Sequence, residues 1–265
     1  MRKFWRRRVV TMGYNDLGVD LLVDKKRLRR HLSMAQRRVA EYFLGEEVAR
    51  LLRATNANLV LDVGANVGQF ALGLRQSGYR GRIASFEPVA APFKRLRAVA
   101  NRDVQWSVHN YALGDEDGTA EIHQVPGTMS SMLPASEFGR QWSDRLREQT
   151  PETIQVRRLE SVLDEVSGSL DPVRAYLKMD TQGFDLRVFE GAGAALDRVV
   201  AMQSEVSCVP IYEGMPRLPE QWTVYENAGF EAVGVYPVSR DSQTLRAIEF
   251  DLVMVRRSEV RARTV

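Results

Sequence analysis

The stretch LVLDVGANVGQF, residues 59–70, combines residue types that suit a charged small ligand. An apolar run ends in Asp62, glycines follow at positions 64 and 68, and a helical pattern begins near Asn66. Glycine lets a backbone turn tightly and approach a ligand closely. In an α/β sheet, such a strand-to-helix turn is where ligands bind, so the stretch predicts a binding site there.

Two ligand classes fit a glycine turn of this kind. A dinucleotide places its diphosphate on the helix N-terminus and prefers the spacing Gly-x-Gly-x-x-Gly, whereas here Asn66 stands at the second glycine and Phe70 lies two positions beyond Gly68. An ionised Asp62 would also repel a diphosphate. S-adenosylmethionine carries a sulfonium and an ammonium group and no phosphate, so a carboxylate beside Gly64 favours this cofactor.

Glu87 ends the next apolar run, 25 positions after Asp62. An acid near this spacing accepts both hydroxyls of a ribose in dinucleotide-binding folds. Because nicotinamide cofactors and S-adenosylmethionine both contain a ribose, Glu87 alone does not separate them. The alternative is that both acids only cap helices, but the pattern places them at strand ends of one predicted crevice.

Composition and charge exclude several classes of protein. Of the 265 residues, 44% are hydrophobic and 27% charged, which is ordinary for a soluble globular protein. The net charge is +3, and much of the excess lies in the initial MRKFWRRR, so we expect no nucleic-acid partner. The single Cys208 excludes a disulfide framework and a multi-cysteine zinc site, which is consistent with the cytoplasm.

The N-terminal segment is basic and contains aromatic residues, but it lacks the apolar core of a signal peptide. Both a solvated tail and peripheral contact with an anionic membrane surface are compatible with it. No run approaches the roughly 18 apolar residues that a membrane-spanning helix needs. Residues 16 to about 54 predict helices, with Gly45 as the break between two of them, and these helices could pair two subunits into a homodimer.

Strand and helix patterns alternate along the rest of the chain and predict a parallel sheet covered on both faces, with an antiparallel pair at its end. Residues 126–152 show no clear period before a predicted helix near 136–148, so this excursion is a candidate lid or substrate loop. We divide the chain into an N-terminal helical extension (1–55), a catalytic domain (56–258) and a C-terminal tail (259–265).

Four ordered segments resemble the FkbM family of S-adenosylmethionine-dependent methyltransferases. They are LDVGANVGQFA, SFEPVAAPFKRL, NYALGDEDGTAEI with its trailing MSSML, and YLKMDTQGFDLRVFEGA followed by MQSEVSCVPIYEGMP. The resemblance implies a class I methyltransferase fold, which is an α/β Rossmann-like, seven-stranded, mostly parallel sheet with an antiparallel last strand. It also implies methylation of a hydroxyl group, often on a saccharide, a glycolipid or a polysaccharide precursor.

The fourth segment departs from the family pattern Asp-x-x-Gly-x-Glu. The acid at Asp185 is shortened, and Gln182 stands where an acid is usual, so the block could work with a metal or with a bare base. Asp180 and Glu205, which end neighbouring strands, are the candidate catalytic residues. Together they could hold Mg²⁺ through carboxylate oxygens, or share a proton with one pKa raised. An ion pair between Glu205 and an arginine is the alternative.

The remaining candidates lie in loops that follow the predicted strands. For the cofactor they are Asp62, Gly64, Asn66, Gly68, Gln69, Glu87, Pro88, Asn110, Ala112, Leu113 and Asp180. For the acceptor, a small molecule or a glycan, they are Ser130, Ser131, Gln182, Tyr212 and Glu213. A nicotinamide-dependent oxidoreductase and a non-catalytic relative that binds cofactor or carbohydrate are the alternative functions.

Overall fold

The computed structural model describes residues 9–14, 19–125, 127–241 and 244–260, and within these ranges it describes side chains from residue 39 onward. The basic segment at residues 1–8 and most of the predicted tail lie outside the described residues.

The described residues form twelve strands and seven α-helices. The strands are β1 (Val9–Tyr14), β2 (Val19–Asp24), β3 (Leu59–Val63), β4 (Arg82–Phe86), β5 (Trp106–His109), β6 (Ala112–Leu113), β7 (Gly118–Gln124), β8 (Thr150–Arg157), β9 (Ala175–Met179), β10 (Val199–Ser207), β11 (Phe230–Arg240) and β12 (Ala247–Arg256). The helices are α1 (Lys25–Ala54), α2 (Gln69–Gln76), α3 (Ala90–Ala100), α4 (Glu137–Trp142), α5 (Leu159–Ser167), α6 (Asp185–Gly191) and α7 (Leu218–Asn227). Short 3-10 helices span Asp144–Arg147, Gly193–Arg198 and Arg257–Glu259.

Seven strands form the main sheet in the order β11-β12-β10-β9-β3-β4-β5. The strands from β10 to β5 run parallel, whereas β12 runs antiparallel to both β10 and β11. The predicted fold class is thereby confirmed, including the antiparallel last strand. The chain order reverses between β3 and β9, and in such sheets ligands bind at the carboxyl ends of the strands next to this reversal.

The central strands are apolar on both faces because helices cover both faces of the sheet. Every residue of β3, β9 and β10 is buried. One face packs against α5, α6 and α7 through residues such as Leu61 and Leu177, and the other packs against α1, α2 and α3 through residues such as Val60 and Tyr176. This arrangement explains the near-continuous apolar runs of a buried parallel sheet.

The predicted excursion folds as a small cap at the carboxyl ends of the main sheet. It connects β7 and β8, which pair in a second sheet of order β6-β8-β7. The predicted helix near 136–148 is divided into α4 and the 3-10 helix Asp144–Arg147. Ala135 and Leu146 pack with Ile211 and Met215 from the loop after β10, so the cap is held above the strand ends.

The N-terminal region differs from the sequence prediction in two ways. Residues 19–24, predicted as helix, form the strand β2, which pairs with β1, and α1 continues through Gly45 without a break. A glycine inside a helix costs only about 1 kcal/mol relative to alanine, and the buried contacts of Val48, Leu51 and Leu52 hold the helix beyond it. The extension is therefore not purely helical, and its boundary at residue 55 stays a proposal. None of the described helices combines the length and the apolar character needed to cross a membrane.

Candidate active site

A cavity opens at the carboxyl ends of β3, β4, β9 and β10, beside the reversal in strand order. Eleven of the residues predicted for the site line it. These are Gly64, Asn66, Gln69, Glu87, Pro88, Ala112, Leu113, Ser130, Asp180, Gln182 and Glu205. Predicted residues that do not line it are Asp62, Gly68, Asn110, Ser131, Tyr212 and Glu213. The structure thus brings eleven of the cofactor and acceptor candidates to one cavity and leaves six outside its lining.

The turn after β3 is tight because two strand ends meet there. Gly64 has a left-handed φ of +76°, and a Cβ at this position would lie 2.0 Å from the backbone oxygen of Asp180. Gly68 has a φ of +90°, and its Cβ would lie 2.9 Å from the ring of Trp106. Gly64 therefore allows the cavity wall to close against the end of β9. Gly68 packs on the core, and its predicted contact with the cofactor stays a prediction.

We expect Gly64→Ala to destabilise the protein by about 1–3 kcal/mol, the usual cost of overpacking a tight contact. Gly73→Ala is the matched control, because Gly73 lies inside α2 and a Cβ added there would meet nothing within 4 Å. Urea unfolding should show Gly73→Ala to be neutral or stabilised by up to about 1 kcal/mol. Equal stability of the two variants would contradict the close approach of Gly64 and Asp180.

Glu87 presents a carboxylate to the cavity from the end of β4. Its Oε2 accepts a hydrogen bond from the backbone N of Asn66 at 2.8 Å, and its Oε1 accepts one from the backbone N of Val89 at 2.9 Å. Burial raises the pKa of Glu87 to about 7, against the effect of these two hydrogen bonds. The contact between Glu87 and the ribose stays a prediction. The two backbone hydrogen bonds hold the Glu87 carboxylate in the cavity wall.

Asn110 supports this strand end from behind. Its Nδ2 donates hydrogen bonds to the backbone oxygens of Glu87 at 3.0 Å and Pro88 at 2.9 Å. Asn110 therefore has a structural role through its amide nitrogen, and its predicted contact with adenine stays a prediction. Ala112 and Leu113, from β6, do line the cavity beside Pro88.

Cofactor affinity should depend on the protonation of Glu87. The ionised carboxylate accepts hydrogen bonds from the ribose hydroxyls. S-adenosylhomocysteine should therefore bind several-fold more weakly at about pH 6 than at about pH 8. The stability of the unliganded protein should change in the opposite sense. Because the folded pKa is raised, this group's stabilising contribution is complete below the unfolded pKa of about 4.3 and is lost as the pH rises through about 7.

Calorimetry across this pH range measures the affinity, and Glu87→Gln is the control. This variant should lose both the pH dependence and the proton release that accompanies binding at neutral pH. A pH dependence that survives in Glu87→Gln would assign it to another group.

Asp62 is directed into the protein interior and not into the cavity. Its Oδ2 accepts a hydrogen bond from Ser85 Oγ at 3.0 Å, and Ser85 Oγ in turn accepts one from Trp106 Nε1 at 3.0 Å. Its Oδ1 lies 3.3 Å from Nζ of Lys178. The predicted contact of Asp62 with a cationic cofactor stays a prediction, and the structure pairs this carboxylate with a buried lysine.

Lys178 is a site residue that the sequence analysis missed. Its Nζ lies between Oδ1 of Asp62 at 3.3 Å and Oδ2 of Asp180 at 3.4 Å, beneath the cavity floor. Burial alone would lower the pKa of Lys178, but Asp180 and Asp62 outweigh that effect and raise the pKa above its ordinary value. The signal was present in AYLKM, since a lysine inside a buried strand requires a charged partner.

Asp180 and Glu205 lie at adjacent strand ends and are bridged by an amide. Nε2 of Gln182 donates hydrogen bonds to Oε2 of Glu205 at 2.7 Å and to Oδ1 of Asp180 at 3.2 Å. Burial, with the nearby carboxylates of Glu249 and Asp180, raises the pKa of Glu205 well above its usual range. Gln182, not an arginine, is therefore the partner of Glu205.

Two predicted acceptor residues hold Gln182 in place. Ser131 Oγ donates to the backbone oxygen of Gln182 at 2.7 Å, and Tyr212 Oη lies 3.0 Å from Oε1 of the same residue. Both side chains are buried behind the cavity, and this support fixes Gln182 in a left-handed backbone conformation with φ +54°. Ser131 and Tyr212 thus position a lining residue, and their predicted contact with the acceptor stays a prediction. Glu213 is exposed, near Arg140, and lies outside the cavity.

The donor set at Asp180 and Glu205, as arranged here, does not fit a divalent cation. Mg²⁺ requires oxygen ligands, but an N–H donor of Gln182 lies between the two carboxyl groups. Across the described ranges, no group of three or more histidine, cysteine, aspartate or glutamate side chains could hold a metal ion. The Mg²⁺ site stays a prediction that this amide-bridged arrangement does not support.

The cap reaches the cofactor side of the cavity as well. Nδ2 of Asn66 donates a hydrogen bond to the backbone oxygen of Gly127 at 3.0 Å, which joins the turn after β3 to the loop after β7. Ser130 lines the cavity from this loop, and its Oγ accepts a hydrogen bond from the backbone N of Val125 at 3.1 Å. The site is consequently roofed by the segment that the sequence predicted as a lid.

Several solved structures are similar to the chain at low identity. The magnesium protoporphyrin IX methyltransferase ChlM from Synechocystis PCC 6803, with bound S-adenosylmethionine, is 12% identical with a TM-score of 0.44 over 84% of this chain and 82% of that one. Fibrillarin from Aeropyrum pernix, with natively bound S-adenosyl-L-methionine, is 11% identical with a TM-score of 0.42 over 75% of this chain. The bifunctional kinase-methyltransferase WbdD is 16% identical with a TM-score of 0.46 over 83% of this chain. The present chain spans 66% of the fibrillarin chain and 39% of the WbdD chain.

The sequence match is more specific than these structural likenesses. No curated protein matches the chain significantly over its sequence. A family model described as the methyltransferase FkbM domain, however, matches residues 62–232, which is well over half of the chain. This match includes the glycine turn, Glu87, Lys178, Asp180 and Glu205. The protein therefore belongs to the FkbM methyltransferase family.

Proposed function

We propose that the protein is an S-adenosylmethionine-dependent O-methyltransferase that acts on a hydroxyl of a saccharide, a glycolipid or a polysaccharide precursor. The observation that carries the proposal is that one cavity contains both halves of such a site. The turn at Gly64 and the carboxylate of Glu87 lie on one side, and Asp180, Gln182 and Glu205 lie on the other. Membership of a methyltransferase family removes the support for a nicotinamide-dependent oxidoreductase.

On the cofactor side, Glu87 holds the ribose of the donor and the backbone of the Gly64 turn approaches its methionine part. Asn66, Gln69, Pro88, Ala112 and Leu113 enclose the rest of the cofactor. Since Asp62 is already paired with Lys178, it acts indirectly: the ion pair fixes the strand end from which the turn departs. A cytoplasmic location belongs to the same proposal, supported by the single free Cys208.

The reaction is an in-line displacement at the methyl carbon. The acceptor oxygen forms a bond to the methyl group as the carbon–sulfur bond breaks, the electron pair stays on sulfur, and S-adenosylhomocysteine leaves. The acceptor proton passes to the carboxylate of Asp180, whose side chain is 36% exposed toward the cavity beside the ammonium group of Lys178. Alignment of the reactants can contribute about 7–11 kcal/mol, and a positioned base about 10²–10⁴-fold.

The acceptor hydroxyl meets a carboxyl group and an amide as well as the base. Glu205 and Gln182 offer hydrogen bonds suited to a polyhydroxyl compound, and Ser130 adds a hydroxyl from the cap. No cation is needed, because Asp180 accepts the proton as the new bond forms. These hydrogen-bonding groups support a carbohydrate acceptor.

Transfer of a radiolabelled methyl group from S-adenosylmethionine to a panel of monosaccharides, oligosaccharides and lipid-linked saccharides tests the proposal. We expect label in an alkali-stable ether on one acceptor class, with equal rates in the presence and absence of EDTA. Labelling of amines or of nucleic acid, or a rate abolished by EDTA and restored by Mg²⁺, would contradict it. Binding of the cofactor without transfer to any acceptor would favour the non-catalytic alternative.

A further inference from the structure

The chain is divided into two segments of opposite charge. The first 38 residues contain 12 of the 37 lysines and arginines and 3 of the 34 acids, which gives a net charge of +9, whereas the rest of the chain carries −6. The small net charge of the whole protein conceals this division. The basic segment includes the N-terminal half of α1, where seven cationic residues and no acid occur between positions 25 and 38. They are Lys25, Lys26, Arg27, Arg29, Arg30, Arg37 and Arg38.

Helix α1 has apolar residues on two different faces. Val48, Leu51 and Leu52 are buried against the sheet and α2. In contrast, Val39, Tyr42 and Phe43 are 39%, 51% and 44% exposed. At about 100° per residue, these three lie on the side of the helix roughly opposite to the buried face. The exposed face is therefore not part of the domain core.

The sequence continues the exposed face toward the N-terminus of α1. Leu28, Leu32 and Ala35 precede Val39 and Tyr42 at alternating steps of four and three residues, the spacing that places residues on one side of a helix. We define this row, together with Phe43, as the outer stripe. An apolar stripe with aromatic residues at one end and cationic residues beside it is typical of a helix that lies in a membrane interface.

We propose that α1 docks the protein on an anionic phospholipid surface through the outer stripe and its flanking cations. Each lysine or arginine near such a surface contributes about 1 kcal/mol. A second copy of the chain is the less suitable occupant, since pairing two stripes in parallel would bring together two helix halves that each carry seven cations and no acid. Docking of this kind holds a protein at a membrane surface and does not require a membrane-spanning segment.

Vesicle flotation tests the proposal with the full chain. We expect binding to phosphatidylcholine vesicles that contain about 30% phosphatidylglycerol, no binding to phosphatidylcholine alone, and loss of binding as salt screens the charges. The double variant Tyr42→Glu/Phe43→Glu should lower the partition coefficient at least about tenfold, because it removes apolar contact and adds like charge to the lipid. Lys25→Glu/Arg29→Glu, which reverses two cations at the edge of the stripe, should have a similar effect.

Val104→Glu is the matched control, since Val104 is an apolar residue that is 99% exposed in the turn between α3 and β5. It should change vesicle binding less than about twofold. Circular dichroism and S-adenosylhomocysteine affinity should be unchanged in all variants. Equal binding to neutral and anionic vesicles, or none to either, would overturn the proposal. A wild-type dimer that Tyr42→Glu/Phe43→Glu converts to a monomer, without vesicle binding, would instead assign the stripe to a second copy.

Discussion

Replacing Lys178 with methionine should destabilise the protein by about 3–5 kcal/mol, the cost of breaking a buried ion pair from one side. The ammonium group is the cation between Asp62, which is fully buried, and Asp180. Without it, the Asp62 carboxylate remains in the interior with only Ser85 as a described hydrogen-bond partner. Urea unfolding, extrapolated to water, measures the loss.

A double-mutant cycle separates the ion pair from simple packing. Asp62→Asn removes the second charge, so Lys178→Met/Asp62→Asn should be less destabilised than the sum of the two single variants. Lys178→Arg keeps the charge but changes the shape and should lie between wild type and Lys178→Met. Additive effects, or a loss below about 1 kcal/mol in Lys178→Met, would show that the pair is not structurally important.

Asp180→Asn should lower methyl transfer by about 10²–10⁴-fold, because it removes the proposed base without changing the size of the side chain. Cofactor affinity should change little, since the cofactor is held mainly from the side of Glu87. The measurement is the single-turnover rate with an acceptor from the saccharide panel, beside calorimetry with S-adenosylhomocysteine.

Two further variants define the role of Asp180 among the acids. Glu205→Gln should retain much more activity than Asp180→Asn, because burial raises the pKa of Glu205 well above its usual range and so favours the uncharged form that glutamine resembles. Asp115→Asn, which removes a carboxylate paired with Arg187 away from the cavity, should leave the rate unchanged. The reverse order, with Glu205→Gln inactive and Asp180→Asn active, would assign the proton transfer to Glu205.

The fold could be predicted from sequence because its signals are local. Apolar runs of strand length alternate with helical periods, and this pattern alone indicates a parallel sheet with helices on both faces. The same signals place Glu87, Asp180 and Glu205 at strand ends, and the structure confirms that all three line one cavity. The sequence predicts helix at β2 because residues with high helix propensity follow this strand directly in the chain.

The details of the site depend on which residues face each other across strands, and a single sequence does not contain that information. Asp62 and Lys178 are register partners on β3 and β9. Because the sequence does not show this pairing, it predicts Asp62 as a free carboxylate at the ligand. Likewise, the position of Gln182 between two acids depends on its left-handed backbone conformation and on Tyr212 behind it. Without these contacts, two acids on adjacent strand ends indicated a metal site.

A crystal structure of the protein with S-adenosylhomocysteine tests the central claim most directly. We expect the ribose hydroxyls to donate hydrogen bonds to the carboxylate of Glu87. The homocysteine part should contact the turn at Gly64, with its sulfur directed toward Asp180. A cavity that stays empty at saturating ligand, or that binds a dinucleotide in its place, would contradict it.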